Sequence, residues 1–157
     1  MRIGFGYDVH QLKEGRELWL GGVMIPHSKG ALGHSDADVV LHAICDALLG
    51  AAAMGDIGMH FPDSNPEWKD IDSKILLKKV NMMISEAGYA IGNIDTTLVL
   101  QVPKVASYIQ KMRESVASVL MLNIDQVSIK ATTTERLGFV GKEEGIASYA
   151  VVMLVKE

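Results

Sequence analysis

Asp8, His10 and His42 are the residues in this chain whose types and spacing best suit a metal ion. Asp8 and His10 stand two apart in Gly-Tyr-Asp-Val-His, on a segment that alternates as a strand does. His42 closes His-Ser-Asp-Ala-Asp-Val-Val-Leu-His at residues 34–42. Side chains at i and i+2 of a strand share a face about 7 Å apart, so both can converge on one ion with ligand bonds of about 2 Å. A third ligand from a helix facing that strand leaves a fourth position open, as a catalytic zinc requires and a structural one does not. Spacing alone equally allows a hydrogen-bonded polar cluster where strand and helix meet.

Other residues could serve the same site. His34 lies just before the helix, where free backbone N–H groups attract anions. Ser35 and Asp38 have the spacing of a capping box. Asp46 follows His42 by four residues, either behind a metal ligand or on a solvated helix face. Gly55-Asp56-Ile57-Gly58 and Phe61-Pro62-Asp63-Ser64-Asn65-Pro66 make a turn-rich segment, a plain connector or a binding lid. Thr132, Thr133, Thr134 and Glu135 follow an apolar strand. Thr132 and Glu135 repeat the capping-box spacing. They also offer hydroxyls and amides to phosphate and a hard oxygen to a cation.

The elements that must position these groups follow from hydrophobic periodicity. Residues 2–10 form a strand with Ile3, Phe5, Tyr7 and Val9 on one face and Gly4, Gly6, Asp8 and His10 on the other. The glycines leave room beside the ligands for something to approach closely. Residues 17–25 make two short strand pieces around Gly21-Gly22, and 26–33 a loop. Helices are expected over 35–52, 72–87 and 107–122, and further strands over 91–102, 126–132 and 146–155. The last is almost continuously apolar, which suggests burial on both faces. The expected fold is α+β in two layers, a mixed four-stranded sheet with helices on one face. The apolar face of the first strand then needs a cover, and self-association is the economical one.

Composition narrows the function. The chain of 157 residues, 48% hydrophobic, is expected to form one domain over 1–157. A net charge of −4 with no Lys/Arg run argues against nucleic acid. No apolar run reaches ~18 residues, so no membrane span is expected. The single cysteine, Cys45, sits in a helical apolar pattern and reads as a small buried hydrophobe. With no targeting segment apparent, the expected location is the cytoplasm.

These segments together resemble the 2-C-methyl-D-erythritol 2,4-cyclodiphosphate synthases of the non-mevalonate isoprenoid pathway. The matching stretches are Arg2-Ile3-Gly4 with Asp8-Val9-His10, and His34-Ser35-Asp36-Ala37-Asp38-Val39 with His42-Ala43 and Asp46 to Ala51. Gly55 to Gly58, Phe61-Pro62-Asp63, Pro103-Lys104, and Lys130 to Glu135 with Leu137-Gly138-Phe139 complete them. The resemblance implies a phosphorus–oxygen lyase that cyclises 4-diphosphocytidyl-2-C-methyl-D-erythritol 2-phosphate and releases CMP. It implies zinc on Asp8, His10 and His42, and Mg²⁺ or Mn²⁺ on Glu135. His34 and Thr133 would stabilise the transition state, with Ser35 in the same phosphate-contacting turn. Asp56, Ile57 and Gly58 would hold the ribose, and Phe61, Pro62, Asp63, Ser64 and Asn65 the methylerythritol. Leu100, Gln101, Val102, Pro103, Lys104, Val105 and Ala106 would read cytosine largely through backbone. Thr132, Thr133, Thr134 and Glu135 would contact the diphosphate.

The resemblance also implies a homotrimer with active sites between subunits and the sheets around a threefold axis. Lys142 stands where many members carry arginine, and Tyr149 where some carry an acid. An isoprenoid diphosphate on the axis is expected to meet Phe139 and Lys142. Two rival readings are a metal-dependent phosphohydrolase, which would give a linear product, and a non-catalytic module with structural zinc.

Overall fold

The computed structural model describes residues 1–156. Alternation carries the first strand, β1, over Arg2–Glu14, further than its apolar run suggests, until Gly15 turns the chain at a φ of 76°. β2 (Leu18–Leu20) and β3 (Val23–Ile25) form a separate two-stranded hairpin about Gly21 and Gly22, both at positive φ. β4 (Lys29–Leu32) then pairs antiparallel with the end of β1, Leu32 opposite Gln11. Residues 26–33 were expected to be loop. Gly30 and Ala31 carry little strand propensity, yet a Cβ at Gly30 would lie 2.0 Å from the Glu17 carbonyl oxygen, so only glycine fits there.

β4 makes the main sheet five-stranded rather than four-stranded, in the order β4-β1-β7-β5-β6. β5 covers Tyr89–Val99, β6 Val127–Thr132 and β7 Gly145–Lys156. β7 runs antiparallel to both β1 and β5, and β6 runs parallel to β5. The helices are α1 (Val39–Ala51), α2 (Ile57–His60), α3 (Ser73–Glu86), α4 (Ile109–Leu120) and the short α5 (Gly138–Gly141). α1 packs on β1 and β7, α3 on β5, and α4 on β6.

α1 starts at Val39, four residues later than the Ser35 start that the capping pattern suggests. Asp38 is its N-cap, with Oδ1 accepting the N–H of Val40 and Leu41 at 3.1 Å each. The same carboxylate accepts the N–H of Gly21 at 2.9 Å and of Gly22 at 2.6 Å, so one buried side chain ties the β2–β3 turn to the helix. α1 is buried on nearly every side, Cys45 included; His42, Asp46 and Gly50 are its exceptions. Gly4 and Gly6 explain how it lies so close to the sheet. A Cβ there would stand 1.8 Å from the Ala47 carbonyl oxygen and 1.9 Å from that of Ala43. The room beside the metal residues is filled by this helix.

The other face of the sheet is apolar and open. Phe5 is 63% exposed and Tyr7 42%, and Tyr149 and Val151 of β7 lie beside them. Tyr7 and Tyr149 stack with centroids 5.0 Å apart. β7 is therefore covered on one face within the chain, although its sequence suggested two.

Candidate active site

β1 and α1 bring Asp8, His10 and His42 together. Asp8 Oδ2 lies 2.9 Å from His10 Nε2 and 3.1 Å from His42 Nδ1, and the two imidazole nitrogens are 3.2 Å apart. Donors on a tetrahedron with bonds of about 2.0–2.1 Å stand roughly 3.3 Å from one another. One carboxylate and two imidazoles at these separations fit zinc. No other group of three such donors converges among the described residues.

The surroundings fix which nitrogens face inward. His10 Nδ1–H donates to the Leu32 carbonyl at 3.1 Å, so β4, the strand hidden in the sequence, orients a ligand. His42 Nε2–H points to Ser73 Oγ at 2.8 Å and Ser35 Oγ at 3.1 Å, leaving Nδ1 for the ion. The Ser73 hydroxyl donates in turn to Asp36, which also accepts the Ser73 N–H at 3.0 Å. Such outer hydrogen bonds set tautomer and ring angle at metal sites. Sequence spacing allows Asp46 this role or a place on a solvated helix face; instead its Oδ1 accepts the Ile57 N–H at 2.8 Å and so fastens α2. Ser73 was missed because it sits more than thirty residues away, at the start of α3.

Charge is balanced within the cluster. Burial alone would raise the Asp8 carboxyl, but hydrogen bonds and charge from His10 and His42 outweigh it and hold the group at about 2. Burial opposes protonation of His42, and the Asp8 contacts overcome it, so its pKa is raised.

The triad opens on a cavity of about 560 Å³, lined also by His34, Ser35, Ile57, Gly58 and Phe61 to Ser64. His34 Nε2 is buried at this wall without a hydrogen-bond partner among the described residues. Asp56 caps α2 through the Met59 N–H at 3.0 Å, and Asn65 caps the next turn through the Glu67 N–H at 3.0 Å. Both therefore shape the loop from below. Trp68 lines the same cavity and stacks edge-on to Phe61 with centroids 5.2 Å apart, a contact invisible in the sequence.

The remaining candidates gather elsewhere. Leu100, Gln101, Pro103 to Ala106, Thr132 and Thr133 line a second cavity of about 260 Å³, which shares no residue with the first. Val102 lies on the same segment. No helix starts at Thr132, since the next one, α5, begins only at Gly138, so its capping-box reading fails. Instead the Thr133 hydroxyl accepts the Glu135 N–H and donates to the Glu135 carboxylate, both at 3.2 Å. Thr134 Oγ1 donates to the Leu137 carbonyl at 2.6 Å. Glu135 and Arg136 hold φ of 52° and 63°, a strained pair of the kind that collects at functional turns. The Arg136 N–H reaches Gln101 Oε1 at 3.1 Å and joins this turn to residues 100–106. Phe139 and Lys142 are exposed beyond it. Within one chain His34 and Thr133 line different cavities.

An α+β chain with three donors able to hold a metal converging at the mouth of a cavity fits the class of metal-dependent enzymes, and its likeness to known proteins specifies it further. Residues 1–155 match the YgbB family, and the chain belongs to it. It is 60% identical over 157 residues to a 2-C-methyl-D-erythritol 2,4-cyclodiphosphate synthase of Bacteroides thetaiotaomicron, covering 100% of this chain and 99% of that one. It is 62% identical over 154 residues to the synthase of the same name from Chlorobium phaeobacteroides, covering 98% and 97%. A structure of such a synthase with CDP bound superposes with a TM-score of 0.91 at 36% identity, covering 98% of this chain and all 100% of that one. The bifunctional IspDF of Campylobacter jejuni superposes at 0.96 and 41% identity, and this chain spans 42% of its length.

Proposed function

We propose that this chain, acting as one domain, cyclises 4-diphosphocytidyl-2-C-methyl-D-erythritol 2-phosphate to 2-C-methyl-D-erythritol 2,4-cyclodiphosphate and releases CMP. The observation that carries this is the Asp8–His10–His42 triad opening on a cavity, in a chain that matches synthases of that name from end to end. An oxygen of the substrate's 2-phosphate attacks the β-phosphorus. The bond from that phosphorus to the bridging oxygen breaks, and CMP leaves with the oxygen. The nucleophile is already an anion, so no strong base is needed and positioning dominates.

Zinc on Asp8, His10 and His42, with Mg²⁺ or Mn²⁺ on Glu135, would supply charge neutralisation and polarise the diphosphate. His34 Nε2 and the Thr133 hydroxyl donate to oxygens as they gain charge. Ser35 contributes from the His34 turn, and Thr132 and Thr134 from the other. Asp56, Ile57 and Gly58 place the ribose, Phe61 to Asn65 the methylerythritol, and Leu100 to Ala106 the cytosine.

We place these two sets of residues in one active site across a subunit boundary of a homotrimer. Two observations support it: the sets line separate cavities within one chain, and the Phe5/Tyr7/Tyr149 face lacks a cover. Three copies would bring Phe139 and Lys142 near the axis, where an isoprenoid diphosphate could bind. Lysine offers it a point charge without arginine's bidentate fork. The lone buried cysteine suits a cytoplasmic setting.

The test is to incubate the protein with substrate and Mg²⁺ and resolve the products by ³¹P NMR. A cyclic diphosphate with one equivalent of CMP is expected. A linear phosphate product would overturn the cyclase reading in favour of a phosphohydrolase.

A further inference from the structure

Four buried side-chain polar atoms lack a hydrogen-bond partner among the described residues; two of them, Thr96 Oγ1 and Ser148 Oγ, are hydroxyls under the helices. Both residues are 0% exposed. A buried orphan hydroxyl costs about 1–3 kcal/mol, so each needs a reason. The two sites differ in their neighbours across the sheet. Thr96 pairs with Ala150 and Ile129, which offer its side chain nothing polar. Ser148 pairs with Leu98 on one side and with Asp8 on the other.

Directly paired residues on neighbouring strands point to the same face, with Cβ atoms about 4.5–5.5 Å apart. Ser148 therefore projects beside the Asp8 carboxylate, on the helix side of the sheet. The Asp8 hydrogen bonds all fall on one oxygen. Oδ2 meets His10 and His42, while no hydrogen bond reaches Oδ1 among the described residues. An unpaired donor thus stands next to an unpaired acceptor. A serine hydroxyl moves between staggered χ1 wells at little cost, since Cγ is absent and only Oγ is displaced.

We propose that Ser148 is a positioning residue of the metal site: its hydroxyl donates to Asp8 Oδ1 and holds the carboxylate so that Oδ2 alone faces the ion. His10 has the Leu32 carbonyl behind it and His42 has Ser73; Ser148 completes the set for the third ligand. A carboxylate left free to swing would offer either oxygen, or both, and lose the geometry that the two imidazoles share. Partners behind a metal ligand commonly contribute 10–100-fold to metal affinity. The inference rests on the proposed zinc site.

The experiment compares wild type, Ser148→Ala, Thr96→Val and His42→Ala. Zinc affinity is read by competition with a chromogenic chelator, and the ligand field from the visible spectrum of the cobalt-substituted protein. Ser148→Ala removes one oxygen from a buried strand position and leaves no large cavity, so the fold should persist, with thermal unfolding as the check. The expected result is zinc binding weaker by about 10-fold or more, with a changed cobalt spectrum, in Ser148→Ala, and a still larger loss of binding in His42→Ala, which removes a ligand outright. Thr96→Val should keep wild-type zinc affinity and spectrum. If Ser148→Ala binds zinc as wild type does, with the same spectrum, Ser148 is only a second orphan hydroxyl and the inference falls while the zinc site stands. If wild type and His42→Ala bind zinc equally, or neither binds it, the zinc site and the inference fall together.

Discussion

Gly6 sits where the two halves of the metal triad are held in register, and replacing it tests how rigid that register is. A Cβ at residue 6 would lie 1.9 Å from the Ala43 carbonyl oxygen and 2.7 Å from the Ala47 N. Ordinary contact begins near 3.4 Å, so α1 must retreat from β1 by about 1.5 Å, or β1 must buckle. The obstructing atoms are backbone, so no side-chain rotation relieves the clash. Overpacking of this kind costs about 1–3 kcal/mol or more. The retreat also has a chemical consequence. Asp8 and His10 travel together on β1, and their 2.9 Å edge should survive. The two edges to His42, 3.1 Å and 3.2 Å, should open. Gly6→Ala is therefore expected to lower the urea midpoint and to weaken zinc binding, whereas Gly15→Ala, with nothing within 4 Å of its Cβ, should cost only the backbone strain of its φ of 76° and keep its zinc affinity. A Gly6→Ala protein with wild-type stability and wild-type zinc affinity would refute the claim that helix–strand contact sets the site.

Further outcomes follow from single groups. Glu135→Gln should retain zinc but need far more Mg²⁺ for turnover; an unchanged Mg²⁺ titration would confine Glu135 to its bond with Thr133. Asp38→Asn keeps one acceptor oxygen where four N–H groups converge, and should lose about 1–3 kcal/mol in urea denaturation; no loss would mean the β2–β3 turn is not tied through this carboxylate. Hydrogen exchange at the exposed Pro62 to Ser64 stretch should slow when substrate is added, and equal protection would make it a rigid connector. In metal-free protein the Asp8 carboxyl falls from 3.8 to about 2, so its contribution of about 2 kcal/mol is complete above about pH 5 and is lost progressively as pH falls through about 2. Asp8→Asn should flatten that acid limb, and an unchanged limb would place the loss elsewhere.

What the sequence makes legible depends on how local the cause is. The pairing of Asp8 with His10 follows from the period of a strand, and the approach of His42 follows once a helix is known to cross it. The glycine positions announced a close approach without naming the helix as its source. β4 escaped notice because a four-residue edge of Lys, Gly, Ala and Leu carries neither alternation nor propensity. The start of α1 was misplaced because Ser35 and Asp38 both have capping chemistry. Asp38 wins because its carboxylate also receives the Gly21 and Gly22 N–H groups, a tertiary contact no local pattern reports. Ser73 and Asp36 lie behind His42 for the same reason.

The continuous apolar run of β7 has a different lesson. Period-2 reading tells which residues share a face but not what covers it. Ile146, Ser148, Ala150, Val152 and Leu154 lie under the helices, while Tyr149 and Val151 face outward, exposed at 42% and 43%. An apolar strand can thus be half-covered by its own chain and leave the rest for another. The second cluster of candidate residues bears on the same point. Thr133 and Glu135 follow β6, two strands away from β7 in the sheet, while the triad lies on the helix side of β1 on β7's other flank. Within one chain the Asp8–His10–His42 cluster and Thr133 line separate cavities, and the Tyr149/Val151 face of the sheet stays open. Copies that meet through that face bury it and can place the turn of one against the triad of the next. A net charge of −4 would repel so anionic a substrate, and the proposed zinc and magnesium would offset it together only if both clusters faced the same diphosphate.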